Sequence, residues 1–190
     1  MKVLLLDNYD SFTYNLAQIL KDCGVSRFDV IKNDRIDLKN VEKYDKILLS
    51  PGPGKPKDAG MTMEIIKKTY KTKSILGVCL GHEAICEFFG AKLLNLKKIY
   101  HGIASKIMIT SPKEPLFKGL PEIIEGGRYH SWAADKNTFP ESLKITAVTN
   151  DKNATVMAVS HTQYDVKGIQ FHPESIMTPY GKIIISNWLN

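Results

Sequence analysis

The chain has 190 residues, of which 43% are hydrophobic and 24% charged. At about the length of one domain, that balance excludes disordered, collagenous and coiled-coil chains and predicts a core that needs no staple. The net charge is +6, yet the lysines are scattered and never interleave with base-stacking aromatics, so a solvated basic surface is expected rather than a nucleic-acid-binding one.

Val3-Leu4-Leu5-Leu6 is a continuous apolar run and predicts a strand buried on both faces, as in a parallel sheet. Asp10 is expected to cap a helix beginning at Ser11, with Phe12, Leu16, Ile19, Leu20 and Cys23 on its apolar face and Gly24 as its stop. Strands are predicted at Phe28–Ile31, Ile47–Leu49 and Ile75–Val78. A helix is predicted from about Gly60 to Tyr70, and its last turn explains the dense run Lys67, Lys68, Lys71 and Lys73 through the helix dipole. Another helix follows Cys79 and ends near Phe89 and Gly90.

The second half changes character. Lys106–Thr110, Leu143–Asn150, Thr155–His161 and Lys167–Phe171 read as strands separated by turn signals. Thr178 is expected to cap a last helix with Pro179 in its first turn and Tyr180, Ile184 and Trp188 on one face. No repeat, low-complexity stretch or linker interrupts the pattern. The expected fold is therefore α/β, an open and mostly parallel sheet with helices on both faces and a small antiparallel extension, in one domain spanning residues 1–190.

Three cysteines, Cys23, Cys79 and Cys86, with no C-x-x-C pair, fit a reducing compartment. The N-terminus lacks the apolar core of a signal peptide, and no apolar run approaches the ~20 residues of a membrane span. A cytoplasmic location without membrane contact is expected.

Gly77-Val78-Cys79-Leu80-Gly81 carries the chemistry. It has the form of a nucleophile elbow, with cysteine in place of serine, between a buried strand and a helix. Such a turn strains the nucleophile's backbone, and flanking glycines relieve the crowding. The helix N-terminus favours thiolate, and the Leu80 N–H is placed to bind an oxyanion. Cys23 and Cys86 read as core.

A free thiol is mostly protonated at neutral pH, so a base is expected. Among His82, His101, His130, His161 and His172, the last stands out. Gly168-Ile169-Gln170-Phe171 delivers His172-Pro173-Glu174, which proline is expected to hold extended, so that Glu174 can orient the imidazole. Ser50-Pro51-Gly52-Pro53-Gly54 lacks the Lys-Ser end of a phosphate loop and reads instead as a rigid loop offering a second oxyanion N–H. Metal-ligand spacing is absent.

These three segments together, in order and spacing over essentially the whole chain, resemble the class I (triad-type) glutamine amidotransferases, whose fold is flavodoxin-like. The opening Leu6-Asp7-Asn8-Tyr9-Asp10-Ser11-Phe12-Thr13-Tyr14-Asn15-Leu16, with Arg128-Tyr129-His130-Ser131, is similar to one branch of that family. In it are the glutaminase subunits of anthranilate synthase and of aminodeoxychorismate synthase, some of which serve both, with anthranilate synthase preferred.

The resemblance implies that L-glutamine is hydrolysed to glutamate and ammonia. The ammonia would pass to a separate synthase subunit that aminates chorismate. Cys79 would be the nucleophile, His172 the base and then acid, and Glu174 its orienting group. Gly52 and Leu80 would form the oxyanion hole. Gly52, Pro53, Gly54, Glu83, Ser131 and Trp132 would hold glutamine, and His101-Gly102 would lie near the synthase. Mg²⁺ would belong to the synthase, leaving this chain without a cofactor, and some of the positive charge would help dock an acidic partner.

The family usually has glutamine where this chain has Glu83, and leucine where it has Trp132. As a carboxylate, Glu83 would accept a hydrogen bond from the substrate's α-ammonium and could not donate to its α-carboxylate.

Overall fold

The computed structural model describes residues 1–190. Its first strand, β1 (Val3–Asp7), is wholly buried. Val3 and Leu5 face one core cluster, and Leu4 and Leu6 face another. That two-sided burial is why the run shows no alternation. Helix α1 (Thr13–Asp22), strand β2 (Phe28–Lys32), strand β3 (Lys46–Leu49), helix α2 (Thr62–Thr69), strand β4 (Ser74–Val78) and helix α3 (Leu80–Phe88) complete the alternating half.

The second half adds strands β5 (Leu93–Asn95), β6 (Ile103–Ile109), β7 (Ile123–Arg128), β8 (Trp132–Ala134), β9 (Leu143–Thr149), β10 (Val156–His161) and β11 (Val166–Ile169), then helix α4 (Gly181–Leu189). One nine-stranded sheet runs β2-β1-β3-β4-β11-β10-β9-β6-β7, and β5 pairs with β8 in a separate ribbon. Strands β2, β1, β3, β4 and β11 are parallel, while β10, β9, β6 and β7 pair antiparallel beyond them. Helices α1 and α4 cover one face with Leu16, Leu20, Ile184 and Trp188. Helices α2 and α3 cover the other with Ile65, Ile66, Ala84 and Ile85. No helix is long and apolar enough to cross a membrane.

Two capping expectations are corrected. Helix α1 begins at Thr13, without a side-chain cap. Asp10 instead accepts from the Phe12 N–H at 2.8 Å, closing a turn before the helix, while Asp7 receives the Thr13 hydroxyl at 2.8 Å. Helix α4 begins at Gly181 rather than at Pro179. Thr178 is drawn away because its hydroxyl donates to the His172 carbonyl at 2.6 Å and accepts from Gly127 N–H at 3.0 Å. The extended reading of His172-Pro173-Glu174 also fails. The segment is a turn, closed by Ser175 N–H on the His172 carbonyl at 3.2 Å.

The antiparallel part is larger than a small extension, because β11 closes the parallel half beside β4 at the centre of the sheet and four more strands continue the same sheet beyond it. Strands β5, β7 and β8 carry no clear sequence signal. In β7, Gly126 and Gly127 break the apolar pattern.

The elbow depends on backbone contact. A Cβ on Gly77 would lie 2.4 Å from the Gly81 carbonyl group, and one on Gly81 would lie 2.6 Å from the Leu49 carbonyl oxygen. Neither obstacle is a side chain that can swing away, so β4 and α3 close on each other only with glycine at both places. Gly77→Ala is expected to lower unfolding free energy by at least about 2 kcal/mol in urea titration. Gly90→Ala, at φ +106° in open space, is expected to cost only about 1 kcal/mol. Equal losses would remove backbone crowding as the reason for glycine at 77.

Candidate active site

Strands β3, β4 and β11 run parallel, so the segments leaving their C-terminal ends emerge at one edge of the sheet, where such folds place ligands. Those segments are Ser50–Gly54, Cys79 and Gln170–Glu174. Register makes the meeting specific. Val78 pairs with Ile169, and the Cys79 N–H donates to the Ile169 carbonyl at 2.9 Å.

Cys79 sits at φ +50°, ψ −102°, a strained conformation for a residue with a side chain. Its thiol is buried. Burial pushes it well above the ordinary thiol range, and the charges of Glu83, Glu174 and Asp10 push the same way; the Leu80 N–H opposes them. The expectation that the helix N-terminus would favour thiolate is therefore outweighed by desolvation, which makes a neighbouring base more necessary.

His172 is 3% exposed. Its Nδ1 lies 2.6 Å from Glu174 Oε1, and that glutamate side chain has no exposed surface. A carboxylate accepts, so the proton sits on Nδ1 and Nε2 keeps its lone pair. Nε2 is buried with no hydrogen-bond partner. His172 and Cys79 are thus not hydrogen bonded to each other in this structure, and Nε2 is left open to accept a proton. The backbone holding His172 is fixed by its N–H on the Gly127 carbonyl at 2.9 Å and by Thr178. Tyr129 and Phe12 wall the ring, with centroids 4.8 and 6.2 Å away.

The Ser50–Gly54 loop is pinned by Asn8. Its N–H donates to Ser50 Oγ and its Nδ2 to the Ser50 carbonyl, both at 2.8 Å. Asn33 and Thr62 in turn donate to Asn8 Oδ1. Gly52 packs so closely on Asn8 that a Cβ would sit 2.5 Å from the Asn8 carbonyl oxygen. The Gly52 N–H is not used in any hydrogen bond within the chain.

A cavity of about 170 Å³ is lined by Gly52, Pro53, Gly54, Cys79, Glu83, Tyr129, His130, Ser131 and Trp132. Every substrate-binding position expected from sequence therefore lies on it. Lys55 Nζ stands 4.0 Å over the Trp132 ring and joins the two walls at the mouth. A larger cavity, about 420 Å³, lies between the β5–β8 ribbon and Asn153–Val156. It contains none of the candidate catalytic groups, so the smaller one is the better site.

Glu83 is only 3% exposed. Burial raises its carboxyl to about 8, against a lowering hydrogen bond from Gln170. At neutral pH it is therefore mainly protonated, able both to donate and to accept as glutamine would. This corrects the reading of Glu83 as a fixed carboxylate. His82, next to the elbow, faces away: its Nε2 lies 3.7 Å from Cys86 Sγ, and burial lowers it to about 4. His130 is engaged by Arg128 and by the Trp132 carbonyl and is lowered to about 3, chiefly by burial. Neither is a free base. No group of three or more His, Cys, Asp or Glu side chains could hold a metal ion.

Sequence reasoning missed Asn8, Tyr129, Thr178 and Gln170 as parts of this site. Asn8 and Tyr129 lie inside segments that carry the family resemblance. Gln170 was visible only as a strand residue, and its burial became apparent only in the folded chain.

The class-I glutamine amidotransferase family model matches residues 4–190. Anthranilate synthase component 2 of Pyropia yezoensis is 44% identical over 192 residues, covering 98% of each chain. Anthranilate synthase component 2 of Saccharolobus solfataricus is 42% identical over 193 residues, covering 98% of this chain and 97% of its own. The solved structure of a candidate GMP synthase protein from Thermoplasma acidophilum superposes with a TM-score of 0.87 at 26% identity, over 100% of this chain and 92% of that one. The elbow cysteine, its sheet-edge partners and this match over nearly every residue lead to one conclusion: the chain belongs to the class-I glutamine amidotransferases.

Proposed function

We propose that the chain is the glutaminase subunit of anthranilate synthase, with residues 1–190 acting as one domain. The observation that carries the chemistry is a buried elbow cysteine at the same sheet edge as a histidine whose Nδ1 is held 2.6 Å from a buried glutamate. The full-length relatives named anthranilate synthase component 2 support that synthase over aminodeoxychorismate synthase.

Cys79 Sγ attacks the side-chain carboxamide carbon of L-glutamine as its proton passes to His172 Nε2. The carbonyl oxygen becomes an oxyanion and is held by the N–H groups of Leu80 and Gly52. Each such donor is worth about 2.7–4 kcal/mol in a transition state. Collapse breaks the C–N bond, with the proton on His172 going to the leaving nitrogen, and leaves a γ-glutamyl thioester and ammonia. Water then attacks the thioester carbonyl as His172 Nε2 takes its proton; the C–S bond breaks, glutamate leaves, and that proton returns to the Cys79 sulfur. Glu174 holds the imidazole and stabilises its cationic form throughout. Gly52–Gly54 and Ser131-Trp132 form the walls around the substrate, and Glu83 meets its α-ammonium.

The ammonia is consumed by a separate component I subunit that binds chorismate. Mg²⁺, where required, belongs to that subunit. Because the thiol is protonated at rest and not yet bonded to His172, the chain alone is expected to turn over glutamine weakly, and docking to raise that rate.

Cys79→Ser is expected to abolish glutamine-dependent anthranilate formation with component I, while added ammonium salts still support it. Retained glutamine hydrolysis would contradict the triad. The Glu83 carboxyl must lose its proton to meet an ammonium ion. The KM for glutamine is therefore expected to fall as pH rises from about 6.5 through about 8 and to level only above about 9, following that carboxyl's raised midpoint of about 8. The Glu83→Gln variant should lack that slope. A wild-type KM flat across this range would contradict the ammonium contact.

A further inference from the structure

Gln170 belongs to none of the roles above, yet it has no exposed surface and its amide reaches both Cys79 and Glu83, two residues that line the substrate cavity. Its Nε2 is 2.9 Å from Glu83 Oε1 and 3.7 Å from Cys79 Sγ. Its backbone is the first residue beyond β11, tied by its N–H to the Met157 carbonyl at 2.8 Å. A carboxamide nitrogen carries two hydrogens, enough for one oxygen and one sulfur acceptor.

We propose that Gln170 is a positioning residue for the nucleophile: its amide, aligned by Glu83, donates to the Cys79 sulfur as the thiolate forms. This rests on Cys79 being the nucleophile. The contact at 3.7 Å is weak while the sulfur is a neutral thiol. It becomes charge-assisted once the proton has gone to His172, so it contributes mainly in the reactive state.

The charged and titratable groups facing the sulfur make such a donor necessary. Glu83 comes from α3, Glu174 from the segment after β11 and Asp10 from the segment after β1; His172 is bonded to Glu174, and His130 lines the same cavity as Cys79. The carboxyl groups disfavour thiolate when ionised. The neutral donors aimed at the sulfur are the Leu80 N–H and the Gln170 amide. Glu83 acts in two opposing ways, since its oxygen aligns the amide while its charge, when present, opposes the thiolate. The α-ammonium of bound glutamine offsets that charge and leaves the alignment intact. Occupation of the cavity and ionisation of Cys79 are thereby coupled through one side chain.

The test is the pH dependence of Cys79 alkylation by iodoacetamide, read on the Cys79 peptide by mass spectrometry in the full chain. Gln170→Met keeps the length and apolar bulk but has no N–H. It is expected to move the alkylation midpoint up by about one pH unit and to lower kcat with component I about tenfold, with KM for glutamine within about twofold. Glu83→Gln keeps an acceptor for the amide and removes the charge, so its midpoint should move down. A purely structural role for Gln170 would change stability without moving the midpoint. Should Gln170→Met not fold, Gln170→Asn, whose amide stops one carbon short, should show the same upward shift. An unchanged midpoint, with Cys79 still essential for glutamine hydrolysis, overturns the proposal alone. Glutamine hydrolysis that survives Cys79→Ser overturns the triad and this proposal together.

Discussion

The hydrogen bond from the Cys79 N–H to the Ile169 carbonyl, 2.9 Å long, sets the arrangement on which the site depends. It is the last rung of the parallel β4–β11 ladder. It fixes where Cys79 leaves β4 relative to where the segment carrying His172 leaves β11. From Ile169 the chain needs only Gln170 and Phe171 to reach His172. A slip of one residue would turn every following side chain to the opposite face and separate the pair. The glycines at 77 and 81 serve the same end, since a side chain at either would push α3 off the strands that bring the two segments together.

Electrostatics then determine how that geometry can act. Burial protects the thiol from solvent but makes its ionised form costly, and three acidic neighbours add to the cost. The same burial keeps Glu83 largely protonated near neutrality, which relieves part of that opposition in the resting chain. In the proposed reaction the opposite tendency comes from the His172–Glu174 pair, 2.6 Å apart, since a carboxylate at Nδ1 would hold the ring that receives the thiol proton. The resting site thus holds a neutral thiol and an unpaired Nε2. Substrate and partner have to supply the remaining alignment, which suits an enzyme whose ammonia is useful only when a second active site is ready to receive it.

Much of this was legible in the sequence. The buried runs at Val3–Leu6, Ile47–Leu49 and Ile75–Val78 needed no alternation to be read as parallel strands, because both faces are covered. The elbow was legible because its crowding demands glycine at fixed spacing. What escaped depended on contacts distant in sequence. Thr178 resembles a helix cap until the His172 carbonyl is placed within its reach. Strand β7 hides behind Gly126, where a Cβ would lie 3.0 Å from the Phe171 ring and 2.5 Å from Ile107. The ionisation of Glu83 cannot be read from residue type, since it follows from burial that only the folded chain creates. Gln170 gained significance only when β11 was found beside β4.

The central claim is that Cys79 forms a covalent bond with the substrate's γ-carbonyl. Its most direct test is rapid acid quenching of the component I complex during glutamine turnover, followed by peptide mass spectrometry. A γ-glutamyl thioester on the peptide containing Cys79, absent when glutamine is withheld, is the predicted result. Steady glutamate formation with no adduct on Cys79, or with the adduct on Cys23 or Cys86 instead, would contradict it.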